Sequence, residues 1–197
     1  DVYKRQRQLR PAHGADQAVR LGLDVSEHQA GLDVSGFDFV IARTTDGTYQ
    51  DAAFSSFAPH TTAAYHFLRA PSEGTSIASQ VAAALEVLGD RRLPMWLDVE
   101  SPAGLSLLDV HSAHHAFTSA GVEVAGIYTS AWYWRRHMLF ASVSEFGALW
   151  LAQWGTNPVV DVSALPELGD WPRPLGFPEP TVWQFTSRGR VDGVEVD

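Results

Sequence analysis

Short apolar stretches that end in polar residues recur from residue 21 onward, each followed by a loop or by a segment long enough to be a helix. That rhythm is the signature of strands and crossover connections in a parallel sheet. The strand candidates are 21–26, 37–44, 63–68, 95–100, 122–129, 149–154 and 181–185, with 159–162 either an eighth or part of a loop. Helical spacing predicts helices over 76–88, 105–119 and 130–139, with Ser or Thr near each start as a cap and Gly121 closing the second. Connections between the first three strands are too short for full helices. The expected fold is α/β, an irregular TIM-like barrel of about eight strands with few full helices in its first half, because 197 residues fall below the roughly 250 of the regular form. Residues 158–180 hold six prolines and predict a long loop before the last strand.

The fourth stretch, Pro94-Met95-Trp96-Leu97-Asp98-Val99-Glu100, concentrates the chemistry. Side chains alternate along a strand, so Trp96, Asp98 and Glu100 share one face. Two carboxylates so placed resist ionising together, which leaves one able to donate a proton near neutrality, as a glycosidase requires. A strand end with solvated acids is the plain alternative. Polar residues also gather at the C-terminal ends of the other strands: Asp24 and Ser26, 44–46, Tyr65 and His66, Tyr128, Gln153 and Trp154, and Gln184. In a parallel barrel those ends form the face on which active sites are built.

Composition narrows the partners. Lys plus Arg number 14 against 23 Asp plus Glu, a net charge of −9 that argues against a nucleic-acid partner held through phosphates. The content, 45% hydrophobic and 19% charged, suits one globular domain. Cysteine is absent, which removes disulfides and thiolate metal sites. No apolar run nears the ~20 residues of a membrane helix. Residues 1–20 are basic, polar and without apolar period, and read as a disordered leader or an artefact ahead of a catalytic domain at 21–197. Both ends read as cut from something longer.

Seven segments together resemble the family 25 glycoside hydrolases, lysozymes of the Chalaropsis type that many phages also use: 22–29 (Gly-Leu-Asp-Val-Ser-x-x-Gln), 40–47, 63–67, 96–100 (Trp-Leu-Asp-Val-Glu), 126–130, 149–155 and 182–187. The resemblance implies a muramidase that cleaves the β-1,4 bond between N-acetylmuramic acid and N-acetylglucosamine in peptidoglycan. It implies Glu100 as general acid with Asp98 and Asp24 beside it, and Tyr65 against the sugar at the cleavage point. Trp96, Arg43, Tyr128, Gln153, Trp154 and Gln184 are expected to line the sugar groove, although Trp96 serves equally well as core. The closing Val-Asp-Gly-Val-Glu-Val-Asp is similar to a shortened family motif, with Asp197 as the last acid and Asp192 as second choice. Arg43 stands where the family usually has Lys, and His28 where an aromatic is common.

No metal and no cofactor are expected. His111, His114 and His115 share a helix face but lack a partner motif such as His-Glu-x-x-His, so they read as a solvated surface. The expected partner is the glycan strand of the cell wall, met outside the cell by a monomer that neither enters a membrane nor binds nucleic acid. Two rivals stand beside the muramidase. A chitinase would carry an Asp-x-x-Asp-x-Asp-x-Glu run, which Trp96 interrupts. A catalytically inactive wall-binding module would have no need of an intact Asp24, Asp98 and Glu100.

Overall fold

A computed structural model of the chain describes residues 20–196. The leader expected at 1–20, apart from Arg20, and the acid at 197 lie outside the described residues. Strands β1 (Gly22–Val25), β2 (Phe39–Asp46), β4 (Ala63–Phe67), β5 (Met95–Asp98), β6 (Val124–Thr129), β7 (Ala148–Ala152) and β9 (Val182–Gln184) pair in that order, all parallel. The two-residue β3 (Tyr49–Gln50) folds back antiparallel on the end of β2. The sheet curls into an irregular half-barrel.

Val160–Asp161 is a strand, β8, but it does not enter the barrel. The position beside β7 is taken by β9, fixed by Thr181 N donating to Leu149 O at 2.8 Å and Gln153 N to Gln184 O at 3.1 Å. β8 instead pairs with β10 (Gly189–Val191), which forms a hairpin with β11 (Val194–Val196), and these three make a small second sheet. Asp192 and Gly193 turn that hairpin with φ of 48° and 82°, values that Asp-Gly adopts at low cost in a tight hairpin turn. Asp192, the second choice for a site acid, therefore has a turn-forming use and is exposed.

Helices follow the strands as the rhythm predicts. Among the described residues the connections between β1, β2 and β4 hold only 3₁₀ turns, the short β3 and the single-turn α1 (Phe54–Phe57), whereas α2 (Ile77–Leu88), α3 (Leu107–Ser119) and α4 (Ala131–His137), which follow later strands, are full or nearly so. Each of these three has a serine at its N-cap, Ser76, Ser106 and Ser130, whose side chain accepts from the backbone of the first turn.

Alternation along the strands sorts two cores. Outward residues such as Leu23, Ala64, Leu97, Ile127 and Leu149 pack beneath Val81 of α2, Phe117 of α3 and Trp134 of α4. Inward ones, Ile41, Ala63, Trp96, Ala125, Tyr128 and Trp150, form a second cluster made from strands alone. Burial of each large apolar side chain contributes about 1.5–3 kcal/mol, so both layers hold the curl. The inner cluster centres on Trp150, whose ring lies 4.6 Å from Tyr128, 5.8 Å from Trp96 and 6.2 Å from Tyr65. Gly126 lets β6 and β7 approach: a Cβ there would sit 1.9 Å from the Ala148 carbonyl oxygen, and its φ is 155°. The β5–β6 register shifts at this point, which sets Tyr128 opposite Asp98.

Candidate active site

Asp24, Arg43, Tyr65, Asp98, Tyr128 and Gln184 all lie at or near the C-terminal ends of their strands, and the pairing fixes their mutual order. Asp24 stands beside Ile41, Arg43 beside Tyr65, and Asp98 between Phe67 and Tyr128. β5 ends at Asp98. Glu100 therefore lies two residues past the strand rather than in it, half-buried at the mouth, while Asp98 is only 5% exposed. The shared strand face expected for both acids holds as far as Asp98.

Asp98 is a carboxyl in a costly place. Its Oδ1 is buried with no hydrogen-bond partner among the described residues. Burial first, then the negative fields of Glu100, Asp24 and Asp46, push it well above the usual carboxylate range, with Arg43 opposing. Tyr65 feels the same surroundings: burial and the charges of Asp24 and Asp98 hold its phenol proton firmly, so its hydroxyl is a neutral donor.

Asp24 is oriented across the open edge of the barrel. Gln184 Nε2 donates to Asp24 Oδ2 at 3.0 Å, joining β9 to β1, two strands with no ladder between them. The amide is oriented by its other end: Tyr128 Oη and Trp154 Nε1 both donate to Gln184 Oε1, at 2.8 and 2.7 Å. Two donors on the oxygen oblige the NH₂ to face the carboxylate. Tyr128 and Gln184, expected as groove residues, are buried and serve this relay, whereas Trp154 is 36% exposed at its outer end.

Arg43 points into the curl and is bonded to Asp51, Nε to Oδ2 at 2.8 Å, with Glu27 3.6 Å away. Asp51 also accepts from the backbone N–H of Glu27 at 3.1 Å and Ala53 at 2.9 Å, and Tyr49 Oη donates to Glu27 Oε2 at 2.7 Å. Nothing in the pattern of the sequence marked Asp51 or Glu27. The available signal was Arg43 itself, an inward arginine that needs a carboxylate.

Trp96 corrects its expected role. It is fully buried, packed edge-on to Trp150, and forms the floor beneath the acids rather than a surface a sugar touches. Gln153 is exposed, and its carbonyl accepts from Trp183 Nε1 at 2.8 Å. On α3, His111 reaches Glu145 at 3.7 Å with both side chains about half exposed, and the described residues contain no group of three or more metal-capable side chains. A hollow of about 460 Å³ lined by Ser55, Pro59, Arg91 and Arg92 lies at the opposite end of the sheet, where β4 and β5 begin, and holds none of the acids above.

The model of glycosyl hydrolases family 25 matches residues 23–194. Lysozyme M1 of Streptomyces globisporus is 31% identical in an alignment covering 93% of this chain and 67% of that protein. Among solved structures, the catalytic domain of the endolysin ply40 from a bacteriophage of Listeria monocytogenes superposes with a TM-score of 0.64 at 21% identity, over 93% of each chain. The modular Cpl-1 endolysin, solved in complex with a peptidoglycan analogue, gives 0.58 at 18% identity over 84% of this chain and 51% of that one. Identities this low speak for a shared fold.

Proposed function

Since the chain belongs to glycosyl hydrolase family 25 and is a glycoside hydrolase, we propose that it is a muramidase, hydrolysing the β-1,4 bond between N-acetylmuramic acid and N-acetylglucosamine in the glycan strands of peptidoglycan. The observation that carries this reading is the acid cluster at the barrel mouth, where burial, reinforced by the charges of Glu100 and Asp24, holds Asp98 above its ordinary range. Such a cluster retains a proton above the ordinary carboxylate range. Glu100, at the mouth, hands it to the glycosidic oxygen, because Asp98 behind it is 5% exposed. The glycosyl unit then acquires oxocarbenium character, and the negative charge remaining on the cluster stabilises it in a site of low dielectric.

Asp24, oriented by Gln184, faces that developing charge with a carboxylate already in place. The neutral Tyr65 hydroxyl, beside it, donates to the substrate at the cleavage point. Trp154 at the rim offers a ring face to a flanking sugar. Attack by water completes the reaction directly, whereas attack by an enzyme carboxylate or by the substrate's own acetamido group gives an intermediate that water then opens, with a proton of that water returning to Glu100. The anomer of the first-formed product separates the two retaining routes from inversion.

The Cpl-1 endolysin's complex with a peptidoglycan analogue lends this substrate class to the proposal. Among the described residues no helix is long and apolar enough to cross a membrane, and the expected place of action is the bacterial wall. The test is release of new reducing ends. Purified chain should release them from peptidoglycan and leave chitin untouched. Release from chitin alone would transfer the assignment to a chitinase, and binding to sacculi without release would make the chain a wall-binding module.

A further inference from the structure

Glu100 is the one residue of the acid cluster that sits beyond the ladder of its strand, yet the backbone on both sides of it is tied down. Before it, Asp98 O accepts from Leu68 N at 3.0 Å and Val99 N donates to Tyr128 O at 2.9 Å. Val99 O accepts from Thr129 Oγ1 at 2.8 Å. After it comes Ser101, fully buried. Its carbonyl accepts from Tyr133 Oη at 2.8 Å and from Gly104 N at 2.9 Å. Its hydroxyl donates to Glu73 Oε2 through a short hydrogen bond and accepts from Ala70 N at 3.3 Å. Glu100 is thus a single residue suspended between two immobilised neighbours.

Glu73 is itself anchored. Its Oε2 also accepts from Ala70 N at 2.9 Å, and its Oε1 from Arg69 NH1 at 3.1 Å. The rest of the Arg69 guanidinium forms a two-pronged pair with Asp46 at the end of β2, at 2.5 and 2.8 Å, and lies 4.4 Å above the Phe67 ring. Burial works against the Glu73 charge, but the bonds from Ser101, Ala70 and Arg69 outweigh it and hold the carboxylate below its usual range. Tyr133, on α4, accepts from Leu105 N at 2.9 Å as it donates to Ser101. The ends of β2 and β4 and the start of α4 therefore converge on the residue that follows Glu100.

We propose that Ser101 and Glu73 are positioning residues for hydrolysis, fixing where Glu100 presents its carboxyl without touching the glycan themselves. The proposal rests on the reading of Glu100 as the acid. A buried serine hydroxyl that bonds a charged side chain costs more to install than an alanine, and the use that repays it is geometry: misplacing a reacting group by ~1 Å can cost ~10²-fold.

The test is kinetic, on purified chain acting on peptidoglycan. Ser101→Ala should lower kcat about 10-fold with KM within about 2-fold. Glu73→Asp, which keeps the charge but withdraws it by one methylene, should do the same and leave the pH profile in place. In a Glu100→Gln background, where the acid is already gone, neither change should reduce the residual rate further. Should Ser101→Ala fail to fold, the half-exposed Glu73 position carries the test through Glu73→Asp. Wild-type kcat in both variants, or the same fold-loss with and without Glu100, would overturn the positioning role. Near wild-type turnover by Glu100→Gln alone would instead overturn the acid assignment beneath it.

Discussion

Asp51 and Asp98 are buried almost equally, 6% and 5% exposed, at the same end of the same sheet. Asp51 accepts from the Arg43 guanidinium and from two backbone N–H groups. Asp98 has a buried oxygen with no partner among the described residues and lies in the field of three further acids. Burial alone therefore does not decide what a carboxylate does. Where a cation and backbone donors are supplied, the acid is part of the scaffold. Where they are withheld, burial and neighbouring negative charge work against ionisation and the fold carries that cost at the acid, which is where chemistry is expected.

The largest effect should come from the mouth of the acid cluster. Glu100→Gln preserves shape and removes the proton donor, so turnover should fall about 10² to 10⁴-fold with glycan binding and melting temperature retained. On the paired side, Asp51→Ala strands Arg43, whose side chain is 11% exposed. A loss of about 3–5 kcal/mol in urea unfolding is expected for breaking such a buried pair, and a loss below about 1 kcal/mol would erase the contrast.

A third buried titratable group sharpens it. His66 faces the outer core beneath Phe117, with Nδ1 2.6 Å from Thr45 Oγ1, and burial pushes it down to about 4 from 6.5. The unfolded chain then binds the extra proton between those values, so the stabilisation is complete above pH 6.5 and is lost as pH falls toward 4. Chemical unfolding across that window should show about 3 kcal/mol of acid lability, abolished in a folded His66→Phe variant.

Asp98→Asn should cut turnover about 10 to 100-fold and move the alkaline limb of the pH–rate profile to lower pH, because a negative neighbour of the acid has gone. Its folded-state pKa is raised, so ionising Asp98 destabilises the fold as pH rises above the ordinary carboxylate range. The neutral amide should therefore melt a few degrees higher at pH 7, at about 2–4 °C per kcal/mol recovered. A melting temperature that drops instead would place Asp98 with Asp51, among the scaffold acids.

Much of this was legible in the chain. Each barrel strand announces itself as an apolar run ending in polar residues, and Ser76, Ser106 and Ser130 mark the helices, because these are local consequences of burial and capping. Asp24, Asp98 and Gln184 could be placed at one face because a parallel sheet puts all C-terminal strand ends together. The pairing of Val160 with the 189–196 hairpin is not legible, since a two-residue strand carries no period, and the Val-Asp-Gly-Val turn signal there coincides with the tail motif. Asp51, Glu73 and Ser101 were invisible for another reason. Their roles exist only once loops from different strands meet, and no spacing in the sequence encodes that meeting.

The cluster of Asp98, Glu100 and Asp24 should hold a proton well above the ordinary carboxylate range. Side-chain carboxyl NMR titration of the free protein, with labelled aspartate and glutamate and the Asp98→Asn and Glu100→Gln variants for assignment, observes that proton without relying on turnover. Asp98 and Glu100 should titrate as a pair in two separated steps, the upper one well above the ordinary carboxylate range, collapsing to a single step in either variant. If both carboxyls instead ionise together in the ordinary carboxylate range, no proton is held for the glycosidic oxygen, and the role of Glu100 as an acid supported by Asp98 is contradicted.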